Sequence, residues 1–93
     1  MTLKLETEKF TSLAEVLKTI AHPAKLSILE LLDQHGSLSV GELQEFLSIE
    51  QSLLSHHLIK MKDRSILKST KRGKFIFYEV ANAEIVKILK FAQ

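Results

Sequence analysis

The sequence has no cysteine, no tryptophan, a single proline and only three glycines among its 93 residues. Without a thiol there are no disulfides, no cysteine nucleophile and no cysteine-based metal site. No segment reaches the roughly 18 consecutive apolar residues that a membrane span requires. The first residues also lack the charged and then apolar pattern of a secretory signal. We therefore expect a soluble, cytoplasmic protein with no membrane partner.

The composition is that of one ordinary globular domain. Apolar residues make up 45% of the chain and charged residues 26%, which excludes a mainly disordered protein. The length suffices for one hydrophobic core and not for two. No repeat or linker interrupts the chain, so we expect a single domain over residues 1–93.

The charges are distributed unevenly along the chain. Residues 1–50 contain four lysines and eight acidic residues, a net charge of −4, whereas residues 51–93 contain nine lysines or arginines and three acidic residues, a net charge of +6. Most of the basic residues lie between positions 60 and 74. Such a stripe favours a polyanionic partner, nucleic acid or an anionic membrane, and a solvated lysine-rich face is the alternative.

Apolar spacing predicts the first two helices. Apolar residues recur every three or four positions from Thr7 to Ala21, as in an amphipathic helix. Pro23 suits the first position of a second helix, and Gly36 suits its end. This second helix is apolar on more than one face, so we expect it to be central and largely buried.

Two short helices follow, joined by a tight turn at residues 48–50. Ser39 ends a short extended piece and forms with Glu42 the capping box of a helix over residues 40–47. The next helix runs over residues 51–64. The side chains predicted to face the core are Val40, Leu43, Phe46 and Leu47 in the first helix, and Leu54, Leu58 and Met61 in the second. Together the two predict a helix-turn-helix.

A β-hairpin and a last helix complete the pattern. Two β-rich runs, residues 66–70 and 75–80, flank a cationic turn around Gly73. Asn82 caps a helix over residues 83–92 whose surplus of apolar residues predicts a partner surface. The predicted fold is mainly α with a small β-hairpin, in the order α-α-(β)-α-α-β-β-α of a winged helix-turn-helix.

No arrangement of residues indicates catalysis. The chain has four histidines and eleven acidic residues, but no glycine-rich phosphate loop, nucleophile elbow or His-Glu-x-x-His pair. His56 and His57 are adjacent, so on a helix they point about 100° apart and do not bind one metal together. We expect no enzymatic activity and no cofactor.

Four segments resemble the ArsR/SmtB family of bacterial transcriptional regulators. They are Ala21–Leu29, Leu38–Leu43, Gln51–Leu58, and Arg72-Gly73-Lys74 leading into Phe77-Tyr78. The resemblance covers about residues 13–80 and implies a winged-helix homodimer that binds operator DNA, usually as a repressor. Many members of this family release DNA when they bind a metal or metalloid.

The residue chemistry and the resemblance both place the DNA contacts on the fourth helix and the hairpin tip. The expected contacts on the helix are Gln51, Ser52, Ser55, His56 and Lys60, and those on the tip, or wing, are Lys71, Arg72 and Lys74. Glutamine bonds bidentately to adenine, small hydroxyls admit close approach, and cations neutralise phosphate. An ordinary polar surface helix is the alternative for the first group. In the family pattern His57 packs behind the reading face.

The first and last helices are expected to form a homodimer. The predicted interface residues are Phe10, Leu13, Leu17, Ile85, Ile88 and Leu89. A symmetric dimer calls for double-stranded operator DNA with an inverted repeat. The alternative function is a winged-helix protein-interaction module without DNA binding, which would use the last helix and Ile59.

The residues of the family's usual metal sites are absent. The segment Ser39-Val40-Gly41 stands where arsenic- and cadmium-type sites have Cys-Val-Cys, and the last helix contains no histidine for the zinc-type site. We therefore predict no metal and an effector that the sequence does not identify; a site built from His22, His35 or His56 across the dimer is the alternative. The chain also departs from the family at Ser65, which replaces the glycine that usually follows the fourth helix, and at Lys25, which replaces an arginine.

Overall fold

The computed structural model describes residues 2–92, and the side chains of residues 7–91. Within this part of the chain the elements are α1 (Thr2–Ile20), α2 (Pro23–His35), β1 (Leu38–Ser39), α3 (Val40–Leu47), α4 (Gln51–Asp63), β2 (Leu67–Arg72), β3 (Phe75–Val80) and α5 (Ala83–Ala92). This order confirms the predicted winged helix-turn-helix. Helix α1 begins five residues before the predicted start at Thr7. The terminal residues of the expected domain, Met1 and Gln93, lie outside the described residues.

Local capping residues determine where α2 and α3 begin. His22 is the N-cap residue of α2 and has an extended backbone, and Pro23 follows it in the first turn. The Nδ1 atom of His22 accepts a hydrogen bond from the Ala24 N–H at 3.1 Å. At the start of α3 the Ser39 hydroxyl accepts from the Glu42 N–H at 3.1 Å, and the Glu42 carboxylate accepts from the Ser39 N–H at 2.9 Å. This reciprocal pair confirms the predicted capping box, and it holds the pKa of Glu42 below its ordinary value.

Helix α4 ends without the glycine that is usual in the family. Ser65 takes the left-handed conformation itself, with a φ of 61°. The chain reverses there because the Ser65 N–H donates to the Lys62 carbonyl at 2.9 Å and the Ile66 N–H donates to the Met61 carbonyl at 2.9 Å. These two bonds satisfy carbonyls at the helix end as a glycine-based cap would. Because the Ile66 N–H is bonded to the helix end, strand β2 begins at Leu67, one residue later than predicted.

The three strands form one antiparallel sheet in the order β1-β3-β2. Strands β2 and β3 pair from Leu67 opposite Val80 to Arg72 opposite Phe75, and the two residues Gly73 and Lys74 make the turn. Gly73 has a φ of 62°, which the short turn requires. The predicted turn was wider: Lys71 and Arg72 belong to β2, because the cross-strand hydrogen bonds continue to the tip.

The core lies where α2, α4 and the base of the hairpin meet. The side chains with less than 2% exposure, together with Leu67 at 2%, are Ile28, Leu29, Leu32, Leu43, Leu54, Leu58, Met61, Ile66 and Leu67. Helix α2 contributes three of them, which confirms its predicted central position. The helix is not largely buried as predicted, because its outer side is exposed, including Leu26 at 38%. The core therefore holds α4 in place through one side of the helix and leaves the opposite side free.

Two predicted side-chain environments are wrong. Phe46 does not face the core: it is 54% exposed, and its ring lies 5.0 Å from the ring of His35 at the rim of the fold. Helix α3 has only eight residues, so Leu43, with Val40 and Leu47 beside it, fills the available inner surface. Ile85, expected at the dimer interface, is only 5% exposed and belongs to the protomer's own core, because the first turn of α5 packs against α2.

No helix in the described part of the chain combines the length and apolar character needed to cross a membrane.

Candidate nucleic-acid interface

Helices α3 and α4 form the helix-turn-helix and place the start of α4 at the surface. Ser48 ends α3 in the left-handed conformation, with a φ of 50°, and its N–H donates to the Gln44 carbonyl at 2.9 Å. Half-buried Ile49 anchors the turn against the core. Glu50 is the N-cap residue of α4 but makes no side-chain bond to the helix backbone. The backbone N–H groups of the first turn of α4 are thus available to a ligand.

The two sides of α4 differ sharply in burial. Leu54, Leu58 and Met61 are completely buried, as predicted. The opposite side carries the residues expected to meet DNA: Gln51, Ser52, His56 and Lys60 are exposed, and Ser55 is half-buried. The structure therefore brings the predicted helix residues onto the free surface of α4, where small polar groups lie around a helix start.

Two neighbours modify this surface. The Ser52 hydroxyl, an expected DNA contact, donates a hydrogen bond to the carboxylate of Glu50. Ile59, about two turns beyond Ser52 on α4, is 52% exposed. The Ser52 hydroxyl can still accept a hydrogen bond, but the bond to Glu50 must open before it can donate one to another group.

Two of the three wing cations, Arg72 and Lys74, rest on aromatic rings. The Arg72 guanidinium lies over the ring of Phe77 at 4.7 Å from its centroid, and the Lys74 Nζ atom lies 5.6 Å from the centroid of Phe75. Lys71, Arg72 and Lys74 form no salt bridge with any described residue, whereas Lys68 near the base of the hairpin pairs with Glu79 at 3.1 Å. The positive charge of the tip is therefore both held in place and uncompensated.

This aromatic support was not predicted, although the sequence contains a signal for it. In a hairpin with a two-residue turn at Gly73 and Lys74, Arg72 lies opposite Phe75, and residues directly opposite share one face of the sheet. The alternation Phe75, Ile76, Phe77 then places both rings on the face of Arg72. The register of the turn was the missing information.

Behind the exposed face of α4, His57 is buried against α2. It is 5% exposed, and its ring centroid lies 4.8 Å from that of His22. Neither ring nitrogen of His57 has a hydrogen-bond partner in the described part of the chain. Burial lowers the pKa of His57 below its ordinary value of 6.5, and the positive charges of His22, Lys25, His56 and Lys60 lower it further. The neutral ring therefore packs α4 onto α2, in agreement with the structural role implied for it.

We expect His57 to make the folded state less stable in acid. Because its pKa is lower in the folded than in the unfolded chain, the unfolded chain takes up the proton first. The contribution of neutral His57 to the free energy of unfolding is complete above pH 6.5. It is lost as the pH falls from there through the lower pKa of the folded state. Urea unfolding at pH 7.5 and at pH 5.5 measures this loss, which should be smaller in His57→Gln than in the wild type.

The matched control for this experiment is His56→Gln, which changes the exposed neighbour on the same helix. This variant should keep most of the acid sensitivity of the wild type, because it leaves the burial of His57, the largest cause of the lowered pKa, unchanged and removes only the smaller effect of the His56 charge. An equal loss of stability in His57→Gln and in the wild type would show that His57 is not the sensitive group.

The described residues contain no group of three or more His, Cys, Asp or Glu side chains arranged to hold a metal ion. Ser39 and Glu42, at the start of α3, are engaged with each other in the capping box. His22 contacts His57, and His35 contacts Phe46. Within one protomer, His22, His35 and His57 therefore serve packing and capping.

A helix-turn-helix with a free polar face, beside a hairpin whose tip is cationic, defines a winged-helix DNA-binding protein. A sequence model of the ArsR family of bacterial regulatory proteins matches residues 22–69. The transcriptional repressor PagR of Bacillus anthracis is 37% identical to the chain, over 94% of the chain and 87% of PagR. A biofilm growth-associated repressor of Agrobacterium fabrum is 36% identical, over 89% of the chain and 70% of that protein.

Solved structures agree with the sequence comparison. The crystal structure of PagR superposes with a TM-score of 0.85 at 34% identity, over 94% of the chain and 99% of PagR. The repressor BigR from Xylella fastidiosa superposes with a TM-score of 0.85 at 30% identity, over 98% of the chain and 92% of BigR. The chain belongs to the ArsR family. It is a DNA-binding transcriptional repressor, not an enzyme, and the alternative of a protein-interaction module is not supported.

Proposed function

We propose that the chain acts in the cytoplasm as a homodimer on an inverted-repeat operator, with α4 of each protomer in the major groove. The observation that carries this proposal is the free polar face of α4 beside the uncompensated cations of the wing. Helix α4 presents its N-terminal turn and the side chains Gln51, Ser52, Ser55 and His56 to the bases. Lys60, two turns beyond Ser52, reaches the phosphate backbone.

The wing takes a different role in this proposal. Lys71, Arg72 and Lys74 extend beyond the core on β2 and the turn, so they meet phosphates beside the groove that α4 occupies. Stacking on Phe77 limits the conformations of Arg72 before DNA arrives, which reduces the entropy lost on binding. The wing therefore supplies affinity and α4 supplies specificity.

We propose that the dimer forms through α1 and α5, which belong to a single domain over residues 1–93. Phe10, Leu13 and Leu17 of α1 are 62%, 43% and 40% exposed, and Ile88 of α5 is 36% exposed. Leu89, which follows Ile88 in the sequence, is half-buried. Burial of such an apolar face against a second copy removes it from water. Ile85 is left out of the proposed interface because it is buried within the protomer, and highly exposed Phe91 takes its place.

Selection from a pool of random duplexes tests the proposed function. We expect the protein to enrich an inverted repeat whose half-site centres lie about one helical turn, or 10 base pairs, apart. Enrichment of a single asymmetric half-site would contradict the dimer, and no enrichment at salt concentrations of about 0.1 M would contradict specific binding.

On the selected operator, Gln51→Ala should lose about 1–3 kcal/mol of binding free energy and should lose much less on random duplex DNA, because the amide reads a base edge. Fluorescence anisotropy with both duplexes measures the difference. Gln44→Ala is a matched control, since Gln44 is on α3 and half-buried. An equal loss on both duplexes would show that Gln51 does not contribute to specificity.

Stoichiometric zinc, cadmium or arsenite should leave the operator complex intact. The chain has no cysteine, and the described residues include no three-ligand group within one protomer, so the soft ions lack thiolate ligands. A competition assay with one equivalent of metal per protomer decides the matter. Release of the operator would point to the alternative site of His22, His35 or His56 across the dimer.

A further inference from the structure

A cleft with a volume of about 530 Å³ lies between the end of α1, the start of α2 and the C-terminal half of α4. Its walls carry four cationic side chains, Lys18, Lys25, Lys60 and Arg64. They also carry two carboxylates, Glu15 and Asp63, and the side chain of Thr19. The volume falls in the range of small-molecule sites, whereas the lining is too polar for an apolar ligand.

The positive charge in this cleft is only partly neutralised. Arg64 and Glu15 pair at 3.5 Å, which leaves three lysines facing one carboxylate. None of the three lysines forms a salt bridge with a described residue, and Lys25 is half-buried. A partly buried lysine without a partner gains from an anion more than an exposed one does, because the surroundings screen the charge less.

Two of these lysines also act on nearby His57. Burial is the main cause of the lowered pKa of its ring, and the charges of Lys25 and Lys60 lower it further, so both charges act on the space between α2 and α4. An anion bound in the cleft would reduce the positive potential there.

The cleft also connects the two surfaces of the proposed function. On α1, Phe10, Leu13 and Leu17 share one face by their three- and four-residue spacing, and the cleft residues Glu15, Lys18 and Thr19 occupy the other. On α4, Lys60 lies both at the cleft and at the proposed phosphate contact. A ligand here would touch the helix of the dimer interface and the helix that reads DNA.

We propose that this cleft binds a small polyanion, such as a phosphorylated or polycarboxylate metabolite, and that the bound anion weakens the protein's affinity for operator DNA. The second part rests on the proposed function. The anion would neutralise Lys60 and add negative charge beside α4, where DNA phosphates approach. A small anion fits a concave site between three helices, whereas a duplex backbone requires an open surface.

Titration of the full chain with inorganic pyrophosphate and with citrate, followed by the amide signals in NMR spectra, tests the binding. We expect saturable shifts confined to residues 15–19, 24–26 and 60–65 for at least one of the two anions. Lys25→Gln and, separately, Lys18→Gln should each weaken this binding about tenfold or more, and Lys25→Arg should keep it. The matched control is Lys87→Gln, which removes an exposed lysine of α5 outside the cleft and should bind the anion as the wild type does.

Unsaturable shifts spread over all lysines, or unchanged binding in both the Lys18 and the Lys25 glutamine variants, would overturn the proposal. The same variants distinguish a free anion from a DNA phosphate. Without added anion, Lys18→Gln should bind random duplex DNA with the affinity and salt dependence of the wild type. A reduced salt dependence would mean that the cleft holds the DNA backbone, which also overturns the proposal.

The effect on DNA is measured separately, at constant ionic strength. The Kd for the selected operator should rise at least threefold when the cleft is saturated in the wild type, and it should not change in Lys25→Gln. Failure of the proposed function is distinguishable: the chain would then bind no inverted repeat, while the NMR titration would still show a saturated cleft. Normal operator binding that no saturating anion alters would overturn the proposed regulation alone.

Discussion

Leu17→Glu is expected to convert the dimer into a monomer and to weaken binding to an inverted-repeat operator by about 100-fold or more. The side chain lies on the apolar face of α1 and is 40% exposed in the protomer, so the fold tolerates a charge there. In a dimer the same position would be buried against a second copy, where an unpaired carboxylate is costly. A monomer engages one half-site and loses the advantage of two linked contacts, which is typically 10²–10⁴-fold.

Light scattering at micromolar concentration measures the mass, and anisotropy measures the affinity. The matched control is Leu26→Glu, because Leu26 is 38% exposed, close to the exposure of Leu17, but lies on α2 outside the proposed interface. This control should remain a dimer with the operator affinity of the wild type. A dimeric Leu17→Glu protein, or a wild type that is already monomeric, would refute an interface built from α1.

Removing all three wing cations, Lys71→Ala, Arg72→Ala and Lys74→Ala together, should reduce affinity for operator and random duplexes alike, by at least about 100-fold at 0.1 M salt. A dimer has two wings, so six phosphate contacts disappear. The magnitude of the negative slope of log K against log salt should therefore decrease by about five. Arg72→Ala alone should decrease the magnitude of this slope by roughly one for each half-site, or about two for the dimer.

The comparison variant for the single substitution is Lys68→Ala, on the same strand as Arg72. Lys68 is paired with Glu79 at 3.1 Å near the base of the hairpin, so its removal should change the salt slope little. If Arg72→Ala and Lys68→Ala behaved alike, the tip would have no special role, and the aromatic support from Phe77 would serve stability only.

One departure from the family pattern, the serine at position 65, has a physical explanation in the structure. Ser65 adopts the left-handed conformation that the missing glycine would adopt, at a cost of roughly 1 kcal/mol. Glu50, which repels phosphate, is bonded to Ser52 at the start of α4, where the positive end of the helix dipole favours a carboxylate. Exposed Ile59 has no explanation in the protomer.

Much of the fold was predictable because its signals are local. The capping box of Ser39 and Glu42, the position of Pro23 and the cap at Asn82 each involve residues within three positions of one another. The chain therefore encodes these helix boundaries in short segments that are legible without the rest of the molecule. The apolar stripe of α4 is legible for the same reason, since helical spacing alone separates its buried side from its free side.

Other features depended on contacts between distant segments. Phe46 was predicted to face the core because it fits the apolar spacing of α3. In the structure Leu43 occupies the inner surface of that short helix, and Phe46 is exposed. Ile85 looked like a surplus apolar residue until the packing of α5 on α2 placed it in the core. The pairing of β1 with β3 likewise joins residues 38–39 to residues 77–78, a separation that no local pattern reports.

By itself, the sequence determined the order of elements, the starts of α2, α3 and α5, the free polar side of α4, the charge of the wing and the lack of thiolate ligands. These depend on residue chemistry and on spacing within one element. Only the tertiary structure decided which apolar residues remain for a partner, that Arg72 rests on Phe77, that His57 packs against His22, and that lysines from three helices share one cleft. Each of these is a contact between elements, and its energy depends on distances that the chain acquires only when it packs.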